Sequence, residues 1–171
     1  MKKDLKTYLS RGIIGENKGY ERSSVLSTYT NHIERRMKSM ISTRGRYALR
    51  VMIDLAEQTD DRPIPLKEIA ERQNISKKYL EIIVKELVTA DYVTSASGKG
   101  GGYRLSRNPR EYSVGEILET MEGSLSSVAC LADPKYECSR RKQCKTLPMW
   151  EDFDHMVHEF FYSRRLSDFL N

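Results

Sequence analysis

LKEIAERQNISKKYLEIIVKELVTADYVTSASGKGGGYRL, residues 66–105, carries most of the information about the architecture of this chain. It predicts two short helices joined by a tight turn, because Asn74 can end a helix in the left-handed conformation and Ser76 is a favourable N-cap for the next one. Apolar side chains recur in both helices at the spacing of a buried face. They are Leu66, Ile69 and Ala70 in the first helix and Leu80, Ile83, Val84 and Leu87 in the second.

A β-hairpin is predicted directly after the second helix. Residues 92–94, Tyr-Val-Thr, favour a strand, residues 97–102 supply the glycines of a tight tip, and residues 103–105 form the returning strand. Two helices across a turn followed by a hairpin make a winged helix-turn-helix. The predicted fold class is therefore mainly α with a small β-hairpin wing.

The start of the second helix is typical of a segment that reads the major groove of DNA. Cationic and hydrogen-bonding side chains there suit contacts to phosphates and base edges. Helix-turn-helix geometry also occurs in small α-rich domains without a nucleic-acid partner, but a wing that carries Lys99 and Arg104 favours double-stranded DNA. The predicted DNA-binding residues of the helix are Ser76, Lys77, Lys78, Tyr79 and Glu81.

The net charge of +5 is unevenly distributed over the 171 residues. Residues 1–39 carry nine Lys and Arg against four Asp and Glu, residues 40–109 carry twelve against nine, and residues 110–171 carry eight against eleven. The segment with the helix-turn-helix is therefore the positive half of a dipolar molecule. The high pI says little about DNA binding, because most of the excess charge lies in the leader.

The regions on both sides of residues 66–105 have simpler patterns. Residues 1–39 form a basic leader without periodicity, for which a disordered tail, a DNA-contacting arm and translated upstream sequence are competing interpretations. A first helix is predicted from Ser42 or Thr43 to about Gln58. Its apolar stripe comprises Leu49, Met52, Ile53 and Ala56, and at its start Arg44 and Arg46 are placed either to meet a phosphate backbone or to remain simple solvated charges.

Two further helices are predicted after the wing. A capping box from Ser113 to Glu116 opens a short helix that ends at Gly123, with Val114, Ile117, Leu118 and Met121 facing inward. A longer helix runs from Pro148 to about Tyr162, and its seam comprises Trp150, Phe153, Val157 and Phe160. We expect this helix to pack against the first helix and against its own copy in a homodimer, whose two-fold symmetry suits paired DNA half-sites.

All three cysteines lie within fifteen residues of a predicted loop, as C-x7-C-x5-C. Thiolates gathered on a loop suit zinc or an iron–sulfur cluster, and neighbouring Arg and Lys side chains favour the thiolate form. Their odd number argues against a disulfide framework. The spacing alone leaves zinc, an iron–sulfur cluster, thiol sensing and inert thiols open. The cysteines are Cys130, Cys138 and Cys144.

From Met40 to its C-terminus the chain resembles the Rrf2 family, which includes the IscR, NsrR and CymR regulators. The match is carried, in order, by ISTRGRYALRVMIDLA, PLKEIAERQNISKKYLE, GKGGGYRL, SVGEILETMEG, the three cysteines and CKTLPMW. The resemblance implies a homodimeric winged-helix transcription factor whose wing, including Gly100, Gly101 and Tyr103, enters the minor groove. It also implies that Ser76, Lys78, Tyr79 and Glu81 face the major groove, and that Cys130, Cys138 and Cys144 hold an iron–sulfur cluster that changes DNA affinity.

Two positions depart from the family pattern. Leu147 stands where IscR-like members have a histidine that completes the cluster, so a fourth ligand must come from elsewhere. The candidates are Asp133, Glu137, His155, His158 and a residue of the partner subunit. Ser97 replaces the arginine that often precedes the first wing glycine, so minor-groove reading rests on Lys99.

The predicted function is sequence-specific DNA binding by a homodimeric transcription regulator, for example a repressor. Its predicted signal is iron–sulfur, redox or nitric oxide status. The cluster's nuclearity, two-iron or four-iron, is left open. The alternatives are the same regulator with bare thiols or zinc and, from another class, an iron–sulfur electron carrier or cluster donor. No catalytic constellation, membrane-spanning run or secretory signal is recognisable, which predicts a cytoplasmic protein that is not an enzyme. Four divisions are predicted: a basic leader (1–39), the winged helix-turn-helix DNA-binding domain (40–107), a short helix with the cysteine-bearing loop (108–145), and the dimerisation helix with the C-terminal tail (146–171).

Overall fold

The computed structural model describes residues 40–58, 62–133 and 135–170. These residues form six α-helices and a two-stranded antiparallel hairpin, which confirms the predicted fold class. The predicted leader, residues 1–39, lies outside the described residues. The elements are α1 (Thr43–Ala56), α2 (Leu66–Gln73), α3 (Lys77–Thr89), β1 (Val93–Ala96), β2 (Gly102–Leu105), α4 (Val114–Glu122), α5 (Ala129–Ala132) and α6 (Leu147–Tyr162), with 3₁₀ turns at Pro109–Glu111, Arg141–Gln143 and Leu166–Phe169.

The turn between α2 and α3 is built as predicted. Asn74 ends α2 with a φ of 50°, and the Ser76 hydroxyl accepts a hydrogen bond from the Tyr79 N–H at 3.3 Å. The inner faces of the two helices lie in the core, and Ala70 packs at its edge. The four apolar side chains predicted to line the inner face of α3 are all buried: Leu80, Ile83, Val84 and Leu87.

The buried face of α1 differs from the predicted stripe. Ala48, Val51 and Met52 are fully buried and Leu55 nearly so, whereas Leu49, Ile53 and Ala56 are only half-buried at its flanks. The reason is that α1 is central: it packs against α4, α2, α3, β2 and the C-terminal 3₁₀ turn. A helix contacted by several elements buries a wide face, and four-residue spacing cannot identify the centre of such a face.

The wing also pairs with one residue outside the hairpin, a contact that the sequence pattern did not indicate. β1 and β2 pair with Val93 opposite Leu105 and Ala96 opposite Gly102. Ile64 pairs with Tyr103 on the other edge of β2, and each N–H donates to the other's carbonyl at 2.8 Å. This pair of bonds ties the hairpin to the segment that leads into α2.

The helix α4 forms as predicted, and its neighbour is α6. Ser113 caps α4 by accepting from the Glu116 N–H at 3.1 Å, and Gly123 ends it with a φ of 81°. α6 packs on α4, where Val157 joins Val114, Leu118 and Leu125 in a second apolar cluster. The sequence predicted packing of α6 against α1; the structure places α4 as its neighbour, and α1 reaches this cluster through Leu49 at its edge.

The exposed apolar side of α6 is also rotated relative to the predicted seam. Val157 faces α4, while four other apolar side chains, spaced four, three and four residues apart, remain exposed to between 38 and 59%. We call these residues the α6 ridge: Met149, Phe153, Met156 and Phe160. Beyond α6 the chain returns to the core, where Leu166 is fully buried and its N–H donates to the Tyr112 carbonyl at 3.0 Å.

Candidate functional site

The first turn of α3 exposes most of the predicted groove-reading side chains. Ser76, Lys77, Lys78 and Glu81 are all exposed. The Lys77 ammonium lies 3.9 Å from the Glu81 carboxylate across one helical turn, with both side chains more than half exposed. Such a surface pair contributes little to stability, so both groups can exchange this partner for a ligand.

Tyr79 is held by aromatic packing between α3 and α1. Its ring meets the Tyr47 ring edge to face, with centroids 5.8 Å apart and an interplanar angle of 80°. The Arg50 guanidinium lies 5.2 Å from the centroid of the Tyr47 ring and donates to the Gln73 side chain at 3.0 Å. This chain of contacts limits the positions of the half-buried Tyr79 ring at the edge of the exposed face.

The wing carries its cations on an exposed tip and an outward face. Gly98 and Gly100 have φ angles of 92° and 83°, which L side chains rarely adopt, and the Gly101 N–H closes the turn on the Gly98 carbonyl at 3.0 Å. Lys99 is exposed between them. Arg104 lies opposite Thr94 in the register and donates to its hydroxyl at 3.3 Å.

Two of the predicted DNA-contacting residues, Tyr103 and Arg44, take part in the packing between elements of the chain. Tyr103 lies on the inward side of the hairpin and packs against the core. The Arg44 guanidinium donates to Glu86 at 3.0 Å and also to the Met121 carbonyl, so it joins α1 to α3 and α4. Arg46 is exposed and donates to the Thr43 hydroxyl at 3.1 Å.

A buried carboxylate that sequence reasoning missed fixes the position of α2. Asp54 in α1 is 1% exposed and accepts hydrogen bonds from the Arg72 guanidinium at 2.6 and 3.0 Å and from the Gln73 side chain at 2.9 Å. The hydrogen bonds from Arg72 to Asp54, the negative charge of Asp54 and a smaller contribution from Glu68 raise the pKa of Arg72 above its ordinary value. An acidic residue inside the apolar pattern between Ile53 and Leu55 was the available signal.

The cysteine-bearing segment joins α4 to α6. Cys130 lies in the short helix α5, where the sequence predicted a loop, and Cys138 and Cys144 precede α6. All three thiols are free and half-buried. The Arg141 guanidinium donates to the Cys130 carbonyl at 3.2 Å and to Glu151 of α6 at 3.1 Å, which links α5 to α6.

The three thiols have the right chemistry for a soft metal centre but are not assembled into one. Hydrogen bonds from Thr146, with smaller contributions from the Leu147 N–H and the Arg140 charge, lower the pKa of the Cys144 thiol and favour the thiolate that binds metals. Within the described part of the chain, no three Cys, His, Asp or Glu side chains lie close enough together to hold a metal ion.

The structure also places several candidates for the fourth ligand. The His158 imidazole lies 3.5 Å from Glu119 of α4 and stacks on Tyr162, whose hydroxyl donates to the same carboxylate at 2.6 Å. Asp133 accepts from the Lys135 N–H at 2.8 Å. Glu137 and His155 are exposed. His158 is therefore part of the contact between α6 and α4.

None of the helices within the described ranges combines the length and the apolar composition that crossing a bilayer requires.

Comparisons with known proteins give a consistent result. Residues 41–171 match the family model described as Rrf2, iron-dependent transcriptional regulator. The HTH-type transcriptional regulator IscR of Vibrio campbellii is 35% identical over 131 residues, which cover 77% of this chain and 71% of that protein. A structure of IscR from T. potens is 36% identical with a TM-score of 0.58 and covers 77% of this chain and 86% of that one.

A second solved structure, of CymR, the global cysteine regulator of B. subtilis, is 35% identical with a TM-score of 0.61. It covers 75% of this chain and 93% of that chain. The family model spans the helix-turn-helix, the wing, the cysteine segment and α6, so the likeness extends over both the reading elements and the thiols. The chain therefore belongs to the Rrf2 family of winged-helix transcriptional regulators.

Proposed function

We propose that this chain is a cytoplasmic, homodimeric regulator that binds a specific operator in double-stranded DNA through α3 and the wing. The observation that carries the proposal is the exposed first turn of α3 with its two lysines, supported against α1 by the Tyr79–Tyr47 contact. Lysines and hydroxyls there suit phosphates, and Glu81 can accept from a base edge. The wing adds Lys99 and Arg104 for a second contact beside the first groove.

The dimer in this proposal is supported by the α6 ridge. Four large apolar side chains exposed along one side of a helix form a patch of the kind that marks protein interfaces. Their four-three-four spacing suits packing against a second helix. A copy of the same helix is the simplest occupant, because two-fold symmetry would then present two α3 helices to the two halves of an operator.

We further propose that Cys130, Cys138 and Cys144 hold an iron–sulfur cluster and that this chain senses its state. The support is the family relationship and the chemistry of three free thiols between α4 and α6. When bound, the cluster would supply a redox- and nitric-oxide-sensitive group. The cysteine segment would close around the group. The resulting movement of this segment would reach α6 through the hydrogen bond from Arg141 to Glu151.

One further function within the same class has a supporting observation. All three thiols are free and the Thr146 hydroxyl lies 3.5 Å from the Cys144 sulfur, so a regulator with bare thiols or zinc is the second candidate. An iron–sulfur electron carrier or cluster donor would leave the helix-turn-helix and wing without a role.

The DNA-binding proposal predicts different behaviour for two neighbouring substitutions in α3. Tyr79→Ala should reduce the preference between an operator and unrelated duplexes. Lys77→Ala should weaken all duplexes alike and lower the slope of log affinity against log salt by about one unit, because it removes one phosphate contact. Fluorescence anisotropy over a salt series measures both quantities. Equal behaviour of the two variants would mean that α3 is wrongly oriented in the proposal.

The cluster proposal predicts that anaerobically purified protein is coloured and contains iron. Cys138→Ala should lose both the visible absorption and the iron, because it removes one of three ligands, while the folded helix content measured by circular dichroism is retained. Ser139→Ala, one residue away, is the matched control and should keep both. A colourless, zinc-loaded wild-type protein would exclude the iron–sulfur centre, and unchanged operator affinity in Cys138→Ala would separate DNA binding from the cysteines.

A further inference from the structure

One aliphatic side chain of α3 points away from the core. Ile82 is 50% exposed, whereas Leu80 and Ile83 on either side of it are fully buried. Lys78 precedes Ile82 by four residues and Lys85 follows it by three, so all three lie along one side of the helix. Both lysines are exposed. The middle of this side of α3 is therefore an apolar group between two cations.

The charge around Ile82 favours an anionic partner. Of the two nearby carboxylates, Glu86 accepts from Arg44 at 3.0 Å, and Glu81, 3.9 Å from Lys77, is the side chain proposed above to accept from a base edge. The two lysines beside Ile82 have no acidic partner among the ion pairs of the described residues. A single exposed isoleucine is common on protein surfaces. Here, however, the isoleucine lies one turn after Lys78, on the helix whose first turn carries the side chains proposed to read the groove.

The major groove presents one apolar group, the C5 methyl of thymine, among hydrogen-bond donors and acceptors. An aliphatic side chain can contact this methyl, and lysines one turn away on both sides can meet the phosphates that border the groove. Duplex DNA therefore fits both the apolar and the cationic parts of this surface.

We propose that Ile82 reads a thymine methyl group in each operator half-site and so helps to determine the sequence that this chain prefers. This inference rests on the DNA-binding function proposed above and adds a specificity residue that the sequence pattern and the family resemblance did not assign.

The test uses the full chain, as purified under argon and after metal stripping. In vitro selection from a random-sequence duplex library provides the preferred duplex, and each thymine in its half-site is then replaced in turn by deoxyuracil, which lacks only the methyl group. Anisotropy titrations compare wild type with Ile82→Ala, and Thr89→Ala, at the C-terminal end of the same side of α3, serves as the control. Wild type and Thr89→Ala should lose about fourfold in affinity at one thymine position, the effect of burying one methyl group.

Ile82→Ala should bind duplexes with thymine and with deoxyuracil at that position equally well. Circular dichroism of Ile82→Ala checks that truncating this half-exposed side chain leaves the helix content unchanged. The assignment of Ile82 is overturned if every thymine replacement affects wild type and Ile82→Ala equally, or if the selected half-site contains no thymine. Failure of the selection to enrich any sequence would overturn the proposed sequence-specific function and the assignment together, so the two failures are distinguishable.

Discussion

Asp54 shows how one buried charge can fix the geometry of a DNA-reading unit. Its carboxylate is removed from water in α1 and compensated by three hydrogen bonds from the end of α2. Directional bonds of this kind restrict how α2, and with it the turn before α3, can sit on α1. A purely apolar contact at this position would allow the two helices to slide more easily.

We expect Arg72→Ala to lower the free energy of unfolding by about 3 kcal/mol, because it leaves the Asp54 charge buried without its main partner. Urea denaturation followed by circular dichroism measures the change. Lys67→Ala is the control on the same helix: its ammonium lies 3.8 Å from Glu71 with both side chains well exposed, so its loss should cost no more than about 0.5 kcal/mol. Equal effects of the two substitutions would contradict this account of Asp54.

The wing depends on a close backbone contact as well as on its own hairpin bonds. A Cβ at Gly102 would meet the main-chain atoms of Ile64 and Pro65, which cannot move aside as a flexible side chain could. Glycine is therefore required at the point where β2 passes the segment before α2. The glycine-rich tip was recognisable in the sequence, but the reason for this particular glycine lies in the Ile64–Tyr103 pairing.

Gly102→Ala should loosen the wing and cost about 1–3 kcal/mol, the usual range for overpacking. Hydrogen exchange should be faster at the Ile64 and Tyr103 amides, because each N–H donates to the carbonyl of the other residue. Ser97→Ala, at the exposed start of the tip, is the control and should leave both amides protected. Unchanged protection in Gly102→Ala would show that the hairpin adapts without losing this edge.

The proposed mechanism requires two copies of the chain, and the α6 ridge is the surface through which we propose that they meet. We expect Met156→Glu to convert a dimer of 19.8 kDa chains into monomers, because it places a charge in the centre of an apolar interface. Sedimentation velocity measures the change, and operator affinity should fall with it because each monomer reads one half-site. Glu159→Ala, on the same helix, is the control. A wild-type chain that sediments as a monomer, or a Met156→Glu variant that stays dimeric, would remove the α6 ridge from the proposal.

Local pattern was sufficient for five of the six helices in the described residues, the caps at Ser76 and Ser113, the hairpin and the inner face of α3. Each depends on residues a few positions apart, where spacing and backbone preference act directly. The positions of Lys77, Lys78 and Lys99 on exposed surface followed from the same patterns. The grouping of the cysteines along the chain was equally clear from their spacing.

The three-dimensional packing settled features that connect distant parts of the chain. These include the centre of the buried face of α1, the contact of α6 with α4, the Asp54 network, the inward Tyr103 and the return of Leu166 to the core. In each of these contacts the two partners are many residues apart in the sequence, so local periodicity cannot predict the contact. Which side of a helix becomes its buried face depends on how many neighbours surround it, and this is a property of the folded chain.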